Sequence, residues 1–132
     1  MRYFKRKLDD KNRLTIPAEL RPEFESGKVI ITRGFGNYLH VYSEAVWNNE
    51  METALSGQWK GNGATPIVFD RELADMADQL LEGMMETTMD SKQGRITIEQ
   101  DLLRYAGFDR NKEVVATKMP GGYWRIKTPS TT

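Results

Sequence analysis

Residues 8–20 read LDDKNRLTIPAEL, and residues 89–102 repeat this pattern as MDSKQGRITIEQDL. Apolar positions fall on apolar positions, and polar on polar, when the two stretches are aligned. The match resumes further along, where KVIITRGFGNYLHVY at residues 28–42 meets EVVATKMPGGYWRIK at residues 113–127. Each copy is too short to bury a core alone, so the repeat predicts a pseudo-twofold domain in which two halves complete each other.

The repeat divides the chain into three parts within one predicted domain, residues 1–132, a length that suits a single domain. Repeat one covers residues 3–42, a helical and linker insert covers 43–85, and repeat two covers 86–128. In each repeat we expect a strand, a turn, a second strand that forms a hairpin with the first, a short helix and a further hairpin. This order predicts an α+β fold, a compact barrel with two helices between the repeats.

Two helical patterns and a linker make up the insert. Ser43 is predicted to cap a helix over residues 44–55, and a second helix is predicted over residues 71–81. Between them, residues 56–66 are rich in glycine and polar side chains, and include Trp59. This composition indicates a linker.

Charge is distributed unevenly along a chain whose formal net charge is zero. Residues 1–13 hold six basic and two acidic residues, residues 87–132 hold eight basic and five acidic, and residues 43–86 hold nine acidic and two basic. Both repeat starts are therefore basic, which is typical of a protein with one anion-facing surface. The chain has no cysteine, which excludes disulfides and thiolate metal sites. No run approaches the roughly 20 apolar residues of a spanning helix, so we expect a cytoplasmic protein without membrane association.

The two predicted turns each carry a lysine and an arginine. Lys11 and Arg13 lie on the first turn, and Lys92 and Arg95 occupy the related places on the second. The arginine side chain is a planar fork that can pair with guanine in the major groove, and each bidentate contact contributes about 1–3 kcal/mol of discrimination. The turns could equally be solvated hairpins whose charges only keep the protein soluble.

Neighbouring residues suit a sharp turn. Asn12 and Gly94 precede the arginines, and both residue types tolerate positive φ. Asp9 and Asp90 are predicted to stabilise the turns and to orient the basic side chains. A metal site is not expected, because the side chains of the adjacent Asp9 and Asp10 would diverge on a strand. No cofactor is expected either.

Enzyme chemistry is not indicated. His40 is the only histidine and stands in the alternating run YLHVY, which predicts a half-exposed strand residue. No convergent set of nucleophile, base and oxyanion donor is visible. The GFGN turn at residues 34–37 lacks the ending of a phosphate-binding loop.

The stretches LDDKNRLTIP, VIITRGFGNYLHVYSEAVW, EGMMETTMDSKQGRITIEQDLLRYAGF and YWRI together resemble the MraZ family of bacterial transcriptional regulators over nearly the whole chain. The resemblance implies an AbrB-like swapped-hairpin barrel, ring-shaped homo-oligomers, and binding to short repeated boxes upstream of a cell-wall and division gene cluster. It assigns DNA recognition to Arg13 and, through the repeat, to Arg95. In the first turn, Asn12 replaces the family's glycine. In the second, Asp90 lies one residue further from the arginine than the family pattern has it, so a bulge or a shifted turn is expected there.

The preferred hypothesis is a sequence-specific regulator of transcription, bound to double-stranded DNA in the nucleoid. Lys5, Arg6 and Lys7 would then contact phosphates, which position a protein without reading sequence. Arginines that faced opposite directions, or were tucked into internal ion pairs, would contradict this hypothesis. Two alternatives are an antitoxin-like autoregulator and a protein-interaction scaffold that docks a partner through the acidic middle and Trp59.

Overall fold

The computed structural model describes residues 1–55 and 71–129. The predicted linker, with Trp59, lies outside these residues. The described chain combines helices with antiparallel strands, which confirms the α+β class. They are β1 (Tyr3–Lys7), β2 (Arg13–Thr15), a 3₁₀ helix (Ala18–Phe24), β3 (Lys28–Arg33), β4 (Leu39–Ser43), α1 (Glu44–Leu55), α2 (Arg71–Leu81), β5 (Met85–Thr88), β6 (Arg95–Thr97), α3 (Gln100–Ala106), β7 (Glu113–Lys118) and β8 (Trp124–Lys127).

The strands form two antiparallel sheets. The larger sheet has six strands in the order β1-β7-β8-β4-β3-β5, and the smaller consists of β2 and β6 alone. We call this two-stranded sheet the ribbon. The large sheet ends at β1 on one side and β5 on the other, so the described strands do not close into a single barrel.

The predicted hairpin between β1 and β2 is wrong in its pairing. The backbone does turn back at residues 9–13, where Asp9 N donates to Arg13 O over 3.2 Å. The strands then separate: β1 pairs with β7, Phe4 opposite Ala116, and β2 pairs with β6. Strand alternation predicts which face of a strand is buried, but it does not predict the partner strand.

The core lies between the large sheet and the ribbon. On the ribbon, Leu14 is 1% exposed and its partner Ile96 is fully buried. Complete burial of an aliphatic side chain contributes about 1.5–3 kcal/mol, so this pair anchors the ribbon firmly. Apolar side chains of both sheets, the 3₁₀ helix and α3 fill the same core, including Phe4, Leu20, Phe24, Val41, Leu102, Ala106, Trp124 and Ile126.

The two short helices occupy equivalent places in the repeats but differ in type. Residues 18–24 form a 3₁₀ helix that contains Pro22, whereas residues 100–106 form an α-helix with Arg104 at the equivalent position. Proline has no N–H to donate to the carbonyl four residues earlier and its ring clashes with that carbonyl. Pro22 therefore disfavours an α-helix in the first repeat.

Both predicted insert helices are present. Ser43 Oγ accepts a hydrogen bond from Val46 N over 3.2 Å, which confirms the predicted cap of α1. Trp47 of α1 packs edge-on against the Tyr42 ring, with 4.9 Å between centroids. This contact holds α1 on the sheet face opposite the ribbon.

His40 is buried, contrary to the half-exposed position predicted for it. It is only 4% exposed, because aromatic rings cover its side of the sheet. The Tyr123 ring lies 4.5 Å from the His40 ring, and Tyr42 Oη lies 3.0 Å from Nδ1. Burial, aided by the charge of Arg125, lowers the pKa of His40 to about 4. Alternation alone could not show that tyrosines would cover this face.

Candidate nucleic-acid interface

The ribbon carries Arg13 and Arg95 on the same face. Its register pairs Arg13 with Thr97 and Thr15 with Arg95, with the buried Leu14 and Ile96 between them. Side chains alternate between the faces of a strand, so both arginines lie opposite the two core residues. They are diagonal neighbours, with backbone positions roughly 7–8 Å apart. The DNA-binding hypothesis requires that the two arginines face the same direction, and the register of the ribbon meets this condition.

The first turn is organised by Asp9. Its Oδ1 accepts hydrogen bonds from Lys11 N over 2.9 Å and from Arg13 N over 2.8 Å. Asn12, with φ 60°, supplies the left-handed backbone of the turn. Desolvation raises the pKa of Asp9, but the hydrogen bonds from Arg13 and Lys11 outweigh it and hold the pKa below its ordinary value.

The second turn is built in the same way around Asp90, with one residue more. Asp90 Oδ1 accepts from Lys92 N and Gln93 N, each over 2.9 Å, and Oδ2 accepts from Arg95 N over 3.1 Å. Gly94 is left-handed, with φ 69°. The backbone hydrogen bonds from Gln93 and Arg95 lower the pKa of Asp90 strongly. Asp9 lies four residues before Arg13, whereas Asp90 lies five residues before Arg95. The extra residue in the second turn lets Asp90 accept the equivalent hydrogen bond from the arginine N–H.

Both arginines are ion-paired, but only locally and at the surface. Arg13 Nε lies 2.6 Å from Asp9 Oδ2, with the arginine side chain 27% exposed. Arg95 Nε lies 3.4 Å from Asp90 Oδ2, with the side chain 31% exposed. Among the described residues, Nε is the side-chain atom through which each arginine makes its hydrogen bond. Each aspartate therefore holds its guanidinium by Nε and leaves the outer fork available to a ligand.

Each turn also carries a lysine, two residues before Arg13 in the first turn and three before Arg95 in the second. Lys11 and Lys92 are exposed, and their backbone N–H groups donate to Asp9 and Asp90. The solvent-facing surface of the ribbon and its turns thus presents Lys11, Arg13, Lys92 and Arg95 together. We call this surface the ribbon face.

The structure does not bring the three basic residues of β1 together. Lys5 pairs with Val115 and Lys7 with Glu113, whereas Arg6 pairs with Val114, which belongs to the core. Alternation therefore places Lys5 and Lys7 on the sheet face away from the ribbon, and Arg6 on the ribbon side. All three are exposed.

Two basic residues that brace the turns went unnoticed in the sequence. Arg21, on the 3₁₀ helix, donates to Ile16 O and, over 2.8 Å, to Gln93 O in the second turn. Lys112 Nζ donates to Asn12 Oδ1 in the first turn. Neither has a basic counterpart in the other repeat, where Leu103 and Gly27 stand, so no sequence signal marks them.

Two further features concern metal ions and membranes. Within residues 1–55 and 71–129, no group of three or more histidine, aspartate or glutamate side chains is placed to hold a metal ion. None of the helices described there is long and apolar enough to cross a membrane.

The chain is similar to bacterial proteins that carry the name of a transcriptional regulator. The family model described as "MraZ protein, putative antitoxin-like" matches residues 3–58. A Spiroplasma kunkelii protein called "Transcriptional regulator MraZ" is 33% identical over 121 residues, covering 91% of this chain and 77% of that protein. A protein of the same name from Clavibacter michiganensis subsp. michiganensis is 36% identical over 122 residues, covering 92% and 78%. Another, from a Nocardioides species, is 38% identical over 109 residues, covering 83% and 68%.

Proposed function

The chain belongs to the MraZ family of transcriptional regulators, and from this premise we propose that it binds double-stranded DNA through the ribbon face. The observation that carries the proposal is the shared face of Arg13 and Arg95, fixed by the register of the ribbon. A two-stranded ribbon fits the width of the major groove, where a guanidinium can donate to guanine O6 and N7. Lys11 and Lys92 lie exposed on the same turns as the arginines and suit adjacent phosphates.

Preorganisation supports this role. Arginine carries many rotamers, and ordering such a side chain on binding costs about 0.5–1.5 kcal/mol. Asp9 and Asp90 hold the Nε atoms in the free protein. Part of the side-chain entropy is therefore lost before DNA binds. The aspartates also restrain each guanidinium on its Nε side, while bidentate recognition uses a planar pair of donors.

The pairing of the two repeats supports a pseudo-twofold, swapped-hairpin domain over residues 1–132. In the large sheet β1 pairs with β7 and β3 with β5, and these are equivalent pairs under the repeat. The central pairs β2–β6 and β4–β8 join equivalent strands to each other. Strands of one half thus pair with strands of the other, and this pairing fixes the position of the two turns relative to each other.

The targets we propose are short repeated boxes upstream of a cell-wall and division gene cluster, read by a ring-shaped homo-oligomer in the nucleoid. Linking several ribbon faces makes every contact after the first effectively intramolecular. Weak individual contacts then add up on DNA that carries several boxes. Repeated sites and a repeated protein suit each other in this scheme.

Of the three basic residues on β1, Arg6 is the one placed to assist as a phosphate contact. It projects on the ribbon side of the large sheet, whereas Lys5 and Lys7 project from the other side. Replacing Arg6 should weaken binding to all sequences equally. Replacing Lys5 or Lys7 should matter less.

Fluorescence anisotropy with duplex DNA from upstream of the protein's own gene tests the proposal. Loss of one bidentate contact removes about 1–3 kcal/mol, so Arg13→Ala should weaken binding by roughly 5- to 150-fold. Arg104→Ala is the matched control, because Arg104 is 59% exposed and pairs with its helix neighbour Asp101. Light scattering of each variant checks the oligomer. Binding by Arg13→Ala that equals the control would reject the ribbon face.

A further inference from the structure

We propose that Arg21 and Lys112 are positioning residues for the ribbon face, each holding the turn that belongs to the other half of the chain. Arg21 comes from the first half and holds the second turn. Lys112 comes from the second half and holds the first turn. The inference deepens the proposed function and rests on it for its effect on DNA, but the bracing itself can be measured without DNA.

Arg21 joins the end of β2 to the second turn. Its Nε donates to Ile16 O over 3.1 Å, and its Nη2 donates to Gln93 O over 2.8 Å. Between these carbonyls, Ile16 N donates to Gly94 O over 2.8 Å. Arg21 therefore links the segment after β2 to the turn that leads into β6, at one end of the ribbon.

The space around Gly94 shows how closely Arg21 is fitted. A Cβ atom at Gly94 would lie 2.2 Å from Arg21 Nε and 2.9 Å from its Cζ. The guanidinium thus lies against the backbone of the turn, with Nε and Nη2 directed at carbonyl oxygens. A phosphate-binding arginine would present those atoms to solvent.

Lys112 closes the opposite end of the ribbon. Its Nζ donates to Asn12 Oδ1, and its carbonyl accepts from Leu8 N over 2.8 Å. The neighbouring Ile98 N donates to Asn12 O over 3.1 Å, which is the counterpart of the bond from Ile16 to Gly94. The two braced ends are related by the repeat, whereas the braces are not: Arg21 lies on a helix and Lys112 lies before a strand.

Two consequences follow from this crossed arrangement. Each turn is held by a residue 72 or 100 positions away in sequence, so its geometry depends on the two halves being assembled. The two ends of the ribbon are also braced separately. Loss of one brace should loosen one turn and leave the other in place.

Amide hydrogen exchange of the free protein tests the bracing directly. Arg21→Ala should speed amide exchange at Ile16 and Gly94 by about tenfold, because a hydrogen bond from a charged donor stabilises the closed state by a free energy of this order. Exchange at Ile98 should stay unchanged. Lys112→Met should speed exchange at Ile98 and leave Ile16 unchanged. Equal changes at both ends, or no change at either, would overturn the proposal.

DNA binding then separates positioning from direct contact. Arg21→Ala should lower affinity about tenfold without altering the dependence of log affinity on log salt, because no phosphate contact is lost. Arg21→Lys should remain impaired, since one ammonium cannot span both carbonyls. A salt slope reduced by about one unit, with rescue by lysine, would show Arg21 to be a phosphate contact. If wild type fails to bind DNA, the proposed function fails, while the exchange pattern still decides the brace.

Discussion

Replacement of Gly94 by alanine tests the packing of the second turn most stringently. Gly94 has φ 69°, and a left-handed backbone costs an alanine about 1 kcal/mol. Its Cβ would also meet Arg21 Nε at 2.2 Å, which forces the guanidinium away from Ile16 O and Gln93 O. Loss of these two half-exposed hydrogen bonds adds about 1–2 kcal/mol. Gly94→Ala should therefore lower the free energy of unfolding by about 2–3 kcal/mol.

A matched glycine separates the two contributions. Gly107 is left-handed as well, with φ 80°, but the nearest atom to its Cβ position is Thr128 Cγ2 at 3.9 Å. Gly107→Ala should therefore lose only the backbone contribution of about 1 kcal/mol. Urea unfolding gives both free energies, and thermal unfolding should show shifts of about 3–5 °C per kcal/mol.

A double-mutant cycle provides the decisive comparison. In a protein that already carries Arg21→Ala, the added Cβ at Gly94 meets no guanidinium, so Gly94→Ala should lower stability by only about 1 kcal/mol. The expected coupling between the two sites is about 1–2 kcal/mol. Equal losses in the two backgrounds would refute the role given to Arg21, and so would a Gly94→Ala loss no larger than that of Gly107→Ala.

Two further predictions concern titration. Hydrogen bonds from Gln93 and Arg95 lower the folded pKa of Asp90, so its contribution to stability is present above the unfolded pKa of about 4 and is lost as pH falls through the folded value. Urea unfolding from neutral pH to about pH 2 gives the free energy of unfolding as a function of pH. Asp90→Asn should make this free energy fall less steeply at acid pH, and an unchanged fall would contradict the turn geometry. For His40, burial and the Arg125 charge lower the pKa to about 4, so the ring should stay neutral at physiological pH and stability should fall as pH drops below the unfolded value of about 6.5. An NMR titration midpoint of the His40 ring near 6.5 would show the ring to be exposed.

Local features of the fold were predictable because each has a local cause. Asn12 and Gly94 precede the turn arginines and belong to the residue types that accept the observed φ of 60° and 69°. Ser43 precedes a helical pattern and caps it. Alternation in LTI and ITI places Leu14 and Ile96 in the core. In each case the residue type and its immediate neighbours determine the outcome.

Long-range features were not predictable from the same patterns. The partner of β1 proved to be β7, about 110 residues away, since alternation fits any partner with a suitable apolar face. The burial of His40 depends on Tyr123, which the chain brings close only when β4 pairs with β8. Arg21 and Lys112 act across the two halves and break the symmetry of the repeat. Contacts of this kind become visible only in three dimensions.

In the proposed complex, Arg13 and Arg95 of the ribbon face contact the same DNA duplex at the same time. The most direct measurement follows the side-chain Nε–H resonances of Arg13, Arg95 and Arg104 by NMR as duplex box DNA is added. We expect the Arg13 and Arg95 signals to shift as binding saturates, while the Arg104 signal stays in place. Saturated binding with the Arg13 and Arg95 signals unmoved would contradict the claim.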